Sequence, residues 1–147
     1  MKIAIINGPN LNLLGQRQPE IYGSRSIDEF LEGLKKQFSD HHISAYQSNV
    51  EGELVHEIQQ RAVDSEGIIL NAAAYTHTSV ALGDAVAAVN CPVVEVHISN
   101  LSSRELFRQH SYIAPHASGV ITGIRTRRIP PGRRGAVGIS LIPAIGP

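Results

Sequence analysis

Glu95-Val96-His97 is the tripeptide in this chain best suited to moving a proton. Residues i and i+2 of a strand point to one face, so in a strand the Glu95 carboxylate lies beside the His97 ring. Such a carboxylate fixes the tautomer of the imidazole and helps hold its charge, which suits a general acid. A buried structural Glu–His pair has the same spacing. Ser99 extends the pair towards a Ser–His–Glu set, but no nucleophile-elbow motif accompanies it. Arg17 and Tyr22 form a second pair within one loop. Tyrosine at its ordinary pKa near 10 is a poor base. A cation such as Arg17 or Arg108 beside it favours the phenolate and brings it into range. A loop tyrosine also packs on surfaces.

Further polar residues collect where strands should end. Asn7 and Asn10 follow the first apolar run, Asn49 the second and Asn71 the third, while His97 and Ser99 close the fourth. Each asparagine alone can be a turn residue; several at one sheet edge indicate a site. His77 heads a helix, where it can donate to a substrate hydroxyl or serve the cap. Phosphate cradles are missing, since neither GxxxxGK[ST] nor GxGxxG occurs and Pro9 stands in the first loop. A receiver-type acidic cluster is missing too, because Asn7 and Asn10 are neutral. His41 and His42 read as solvated surface rather than a metal site.

The elements that position these residues alternate. Ile3 to Ile6 is a continuous apolar run, as in a strand buried on both faces of a parallel sheet. The breaker cluster Asn7 to Asn10 follows, then a loop anchored by Leu11, Leu13, Leu14 and Ile21, with Gly15 and Gly23 as hinges. Loops of roughly a dozen residues are uncommon unless functional or disordered. Ser26 with Glu29 forms a capping box for a helix carrying Ile27, Phe30, Leu31, Leu34 and Phe38. Ile43 to Gln47 is a second strand. Ser48 or Asn49 caps a helix through Val50, Leu54, Val55, Ile58 and Ala62, closed by Gly67. Ile68 to Leu70 is the third strand. Thr78-Ser79 caps a helix to about Val89, whose Ala81, Ala85, Ala87 and Ala88 suit close packing on a sheet or another subunit. Val93 to Ile98 is the fourth strand. Ser102 and Glu105 suggest a second capping box, and Gly119 to Ile124 a fifth strand. The pattern is α/β with a mostly parallel sheet, and favours a flavodoxin-like layout with strand order 2-1-3-4-5. A ligand then binds outside the carboxyl ends, between the first and third strands.

Composition narrows the class. The chain has 147 residues, about one domain, with 42% hydrophobic and 18% charged content. A formal net charge of zero gives no electrostatic case for nucleic acid or a membrane surface. The one cysteine, Cys91, excludes an intrachain disulfide, and no membrane-length apolar run is present, so the expected location is the cytoplasm.

The residues also carry a resemblance. Asn7-Gly-Pro-Asn-Leu-Asn-Leu-Leu-Gly15 with Arg17, Pro19 and Tyr22-Gly23 resembles the opening motif of type II 3-dehydroquinase (3-dehydroquinate dehydratase). Ser48-Asn-Val-Glu-Gly-Glu53 and Asn71-Ala-Ala-Ala-Tyr-Thr-His-Thr-Ser79 resemble its later motifs, in order. Glu95-Val-His-Ile-Ser-Asn100, with Arg104-Glu105 and Phe107-Arg108, completes the set. The likeness runs from Met1 to about Ile124.

It implies a flavodoxin-like subunit, trimers assembled into a dodecamer, and neither cofactor nor metal. It implies an anti elimination of water from 3-dehydroquinate through an enolate, giving 3-dehydroshikimate with no lysine Schiff base. Tyr22 is then the base beside the ketone, with Arg17 lowering its pKa, and Asn10 helps hold the water that stabilises the enolate. His97, supported by Glu95, protonates the leaving hydroxyl. Asn71, Ser99 and the amides of Ile98 and Ser99 hold the carboxylate. His77 and Arg108 bind ring hydroxyls, and Asp84 reaches in from a neighbouring subunit. A biosynthetic (shikimate) and a catabolic (quinate) role fit equally. A catalytically idle binding subunit of the same fold is the alternative. The departure is the end: Arg125, Arg127, Arg128, Arg133 and Arg134 with Pro130-Pro131-Gly132 replace a closing amphipathic helix. One catalytic domain over 1–147, with an irregular tail from about 125, is expected.

Overall fold

Strand β1 (Lys2–Asn7) runs between β2 (His42–Gln47) and β3 (Gly67–Asn71), and the sheet continues through β4 (Val93–His97) to β5 (Gly119–Thr122). All pairings are parallel and the order is 2-1-3-4-5. This is the flavodoxin-like layout expected from the sequence. The computed structural model describes residues 1–14 and 27–123. The readings on Arg17, Tyr22, the Ser26 cap and the segment 124–147 lie outside those residues.

Strand alternation divides the core. Ala4, Ile6, Ile68, Leu70 and Val93 face helices α2 (Glu51–Asp64) and α3 (Val80–Ala87), meeting Leu54, Ile58, Leu82 and Val86. Ile3, Ile5, Ile69, Val94 and Val96 face the other way, onto Leu31 of α1 (Ile27–Gln37). Each fully buried Ile or Leu stabilises by about 1.5–3 kcal/mol, and both strand faces use them. That is why β1 and β3 read as apolar runs, while β4 is broken by Glu95 and His97.

Several local expectations shift. Phe30 is 42% exposed, so the apolar stripe of α1 is narrower than its spacing suggests. The N-cap of α2 is Val50; Ser48 instead accepts from the Val50 amide and donates to the Glu53 carboxylate. That helix ends against Ser65, and Gly67 opens β3 rather than closing α2. Ser79 caps α3 as expected, accepting from the Leu82 amide at 2.9 Å, but the helix stops at Ala87. Within it Leu82, Gly83, Ala85 and Val86 are buried, while Ala81 and Ala87, and the C-cap Ala88, are exposed. The Ser102–Glu105 capping box does not form. Asn100 caps the turn Leu101–Ser103 through the Ser102 amide, and Glu105 caps the turn Leu106–Arg108 without its side chain. Strand β4 stops at His97 rather than Ile98, and β5 at Thr122.

One helix contact bears on the site. A Cβ on Gly83 would lie 2.5 Å from the carbonyl oxygen of Tyr112, so α3 meets the segment after Arg108 backbone to backbone.

Candidate active site

A cleft of about 480 Å³ opens outside the carboxyl ends of β1, β3 and β4. Asn10, Asn71, His77, His97, Ile98, Ser99 and Arg108 line it, so nearly every described candidate meets on one wall. Glu95 stands behind His97. Asp84 does not line this cleft; it is exposed on α3. Arg104, to which the sequence assigns no role, lines the cleft as well.

Each strand exit is fixed by its own short-range bonding. After β1 the Gly8 amide donates to the Asn71 carbonyl at 2.7 Å. A Cβ there would sit 2.5 Å from the Ala72 carbonyl oxygen, so only glycine permits the approach. Asn10 then takes φ 66°, a left-handed conformation that asparagine tolerates. Its amide donates to Asn49 Oδ1 at 2.9 Å, and Gln47 Nε2 donates to the same oxygen at 3.2 Å. Asn49 is thus a brace for the first loop rather than a helix cap.

After β3, Asn71 Oδ1 accepts from the Ala73 amide at 3.2 Å. The turn reading of Asn71 therefore holds, and the residue also lines the cleft. Ala73 has φ 52°, a conformation rare for residues other than glycine and typical of strain kept at functional loops. After β4, the Gly123 amide donates to the carbonyls of His97 and Ser99 at 3.1 and 3.0 Å. Gly123 has φ 78°, which glycine adopts freely. This bond ties down the turn that presents Ile98 and Ser99.

Glu95 and His97 lie on the α2–α3 side of the sheet, 0% and 4% exposed. His97 Nε2 is 2.9 Å from Glu95 Oε1. The carboxylate accepts, so Nε2 carries hydrogen and Nδ1 is the nitrogen left for a ligand. The sequence misses a third member: Ser111 Oγ lies 2.9 and 3.0 Å from the two Glu95 oxygens. Nothing in its spacing marks it, since it is in an irregular stretch far along the chain.

His77 Nδ1 is 2.7 Å from the carbonyl oxygen of His110. A carbonyl only accepts, so Nδ1 is protonated. Burial lowers the pKa of His77 below its ordinary 6.5, and the nearby charges of His97 and Arg108 add to this against the raising effect of the carbonyl. The neutral ring then offers Nε2 as an acceptor. In this tautomer the ring nitrogen that faces away from His110 is an acceptor, whereas the sequence-based reading has His77 donating to a hydroxyl.

Glu105 organises the cations. Arg104 Nε and Arg108 Nε each lie 3.3 Å from Glu105 Oε2. Its own backbone N–H, then the two guanidiniums, hold the Glu105 carboxyl below the usual range. The Arg108 guanidinium also sits 5.0 Å above the Phe107 ring. Burial raises the Cys91 thiol, which leaves it a poor nucleophile. Among the described residues no His/Cys/Asp/Glu group could hold a metal ion, and no helix is long and apolar enough to cross a membrane. The cleft combines guanidiniums, amide donors, one neutral histidine and one carboxylate-backed histidine. That set suits a small anion bearing hydroxyls, with a proton to give.

Comparison with known proteins agrees. The family described as Dehydroquinase class II matches residues 1–129. A 3-dehydroquinate dehydratase of Nitratiruptor sp. is 52% identical over 126 residues, covering 84% of this chain and 80% of that protein. The crystal structure of a type II dehydroquinase from Butyrivibrio crossotus aligns with a TM-score of 0.78 at 39% identity, over 84% of this chain and 88% of that one. A type II dehydroquinase structure from Propionibacterium acnes aligns with a TM-score of 0.79 at 36% identity, over 83% and 86%.

Proposed function

The chain belongs to the class II dehydroquinase family and dehydrates 3-dehydroquinate, and we propose that it does so by anti elimination through an enolate, without a Schiff base. The observation that carries this is the Glu95-backed His97 on the wall of a cleft shared with His77, Asn71 and Arg108. Tyr22, its phenolate favoured by Arg17, takes the proton from the carbon beside the ketone. The electron pair moves onto the ketone oxygen as an enolate, which a water held by Asn10 stabilises. Collapse of the enolate breaks the bond to the departing hydroxyl. His97 gives that hydroxyl its proton, and water leaves behind a conjugated enone, 3-dehydroshikimate. Exchange with solvent returns the Tyr22 proton and recharges His97.

Binding follows from the same wall. The side chains of Asn71 and Ser99 and the amides of Ile98 and Ser99 receive the substrate carboxylate. His77 accepts from a ring hydroxyl and Arg108 donates to another. The chain's three lysines support the enolate route. Lys2, Lys35 and Lys36 are all outside the cleft, and Lys35 is paired with Glu32 at 3.1 Å on α1.

Assembly belongs to the same proposal. Asp84 sits on the exposed side of α3 with Val80, Ala81, Ala87 and Ala88, and Val80 is 55% exposed. This small-residue face receives a second subunit, whose Asp84 enters the neighbouring cleft, and trimers join into a dodecamer. The whole chain acts as one catalytic domain. The test is a turnover assay following the enone product in the ultraviolet. Product formation supports the dehydratase; tight binding without turnover would leave an idle binding subunit.

A further inference from the structure

We propose that Ser111 is a positioning residue that, through Glu95, sets how tightly His97 holds its proton. The role in turnover rests on the reading of His97 as the acid.

The bonding of the serine hydroxyl leaves it little choice. Its oxygen accepts from the amides of Ile113 and Ala114 at 3.1 and 2.9 Å. A hydroxyl has one hydrogen and two lone pairs. With the lone pairs taken, the hydrogen points at Glu95, midway between oxygens 2.9 and 3.0 Å away. Glu95 is fully buried, so Ser111 and His97 supply the hydrogen bonds that replace water around its charge.

The segment carrying Ser111 is held on both sides of it. The preceding carbonyl, of His110, receives His77 Nδ1 at 2.7 Å, and the following amide, of Tyr112, donates to the Thr76 carbonyl at 3.0 Å. Two consecutive residues, His110 and Ser111, thus address both histidines, one through its carbonyl and the other through a carboxylate. The charged and titratable groups facing His97 among the described residues are Glu95, His77, Arg104 and Arg108. Of these only Glu95 touches Ser111.

The sign of the effect follows from the pair taken as a unit. A hydrogen bond to a carboxylate favours its charged form. Without it, the state with Glu95 ionised and His97 neutral is the one most disfavoured. With His97 protonated the ion pair partly offsets that loss, so the ring holds its proton more tightly. A hydrogen bond to a charged group is typically worth about one pH unit or more, and about tenfold in an equilibrium.

Ser111→Ala tests this with two readouts on the full-length enzyme. Nitrogen-15 NMR follows the titration of His97, and the pH profile of kcat follows its use. The expected result is a His97 titration raised by up to about one unit, an alkaline limb of kcat raised with it, and a plateau lower by up to about tenfold. Ser111→Thr, which keeps the hydroxyl, restores both. Loss of the two amide bonds alone would lower the melting temperature and leave His97 titrating where it does in the wild type; that outcome overturns the proposal. A raised titration with an unmoved kcat limb supports the positioning and rejects His97 as the acid. If Ser111→Ala does not fold, Ser111→Cys, a much weaker donor, carries the same expectation and the same overturning result.

Discussion

The rings of His77 and His97 stack with centroids 6.3 Å apart and planes 21° from parallel, and they face oxygen acceptors through different ring nitrogens, Nδ1 in one and Nε2 in the other. His97 Nε2 meets the buried Glu95 carboxylate; His77 Nδ1 meets a backbone carbonyl, on a ring whose pKa burial lowers. One cleft can thus give a proton at one ring and accept a hydrogen bond at the other.

The depressed pKa of His77 has a consequence for stability. A base with a lowered folded pKa contributes stability that is present above its unfolded value, near 6.5, and lost as pH falls through the folded value. His77 should titrate below 6.5 by NMR. His77→Gln should flatten the decline in stability below pH 6.5 and raise KM more than it lowers kcat. A His77 midpoint at or above 6.5 would contradict the neutral acceptor.

Tyr22→Phe should abolish nearly all turnover while substrate affinity stays within about tenfold, because the lost group acts mainly in the transition state. Steady-state kinetics and a binding measurement together decide it. Retention of more than about a tenth of wild-type turnover removes Tyr22 as the base.

His97→Ala should slow elimination yet retain part of the proton exchange beside the ketone, since the acid acts after the enolate forms. Deuterium incorporation into unreacted substrate is the measurement. Equal loss of exchange and elimination would assign His97 another role.

Borohydride with substrate should leave the enzyme active, as no lysine lines the cleft. Mass spectrometry showing a reduced adduct on Lys35 or Lys36 would overturn the enolate route.

Much of this was legible from residue order because the relevant contacts are short-range or periodic. Glu95 and His97 share a face by strand alternation, and the Ser79 cap lies three residues from the amide it accepts. What stayed hidden depends on backbone atoms brought together by the fold. The tautomer of His77 is set by a carbonyl 33 residues away, and Ser111 meets Glu95 across 16. The failed capping box has a similar cause. Asn100 reaches the Ser102 amide first, and Glu105 turns to two arginines instead. Phe30 fits the helical period of α1 but falls at the edge of the stripe, beyond what the sheet covers.

Gly83 closes off the stabilising change a protein engineer would try first. Glycine inside a helix costs about 1 kcal/mol relative to alanine, and replacing it is a standard route to heat tolerance. Here the added methyl would press on the Tyr112 carbonyl, next to the serine that holds Glu95. Any gain in helix strength would be exchanged for a displaced hydroxyl beside the Glu95–His97 pair. Heat-adapted versions of this enzyme should therefore harden elsewhere and leave this weak point in α3 untouched.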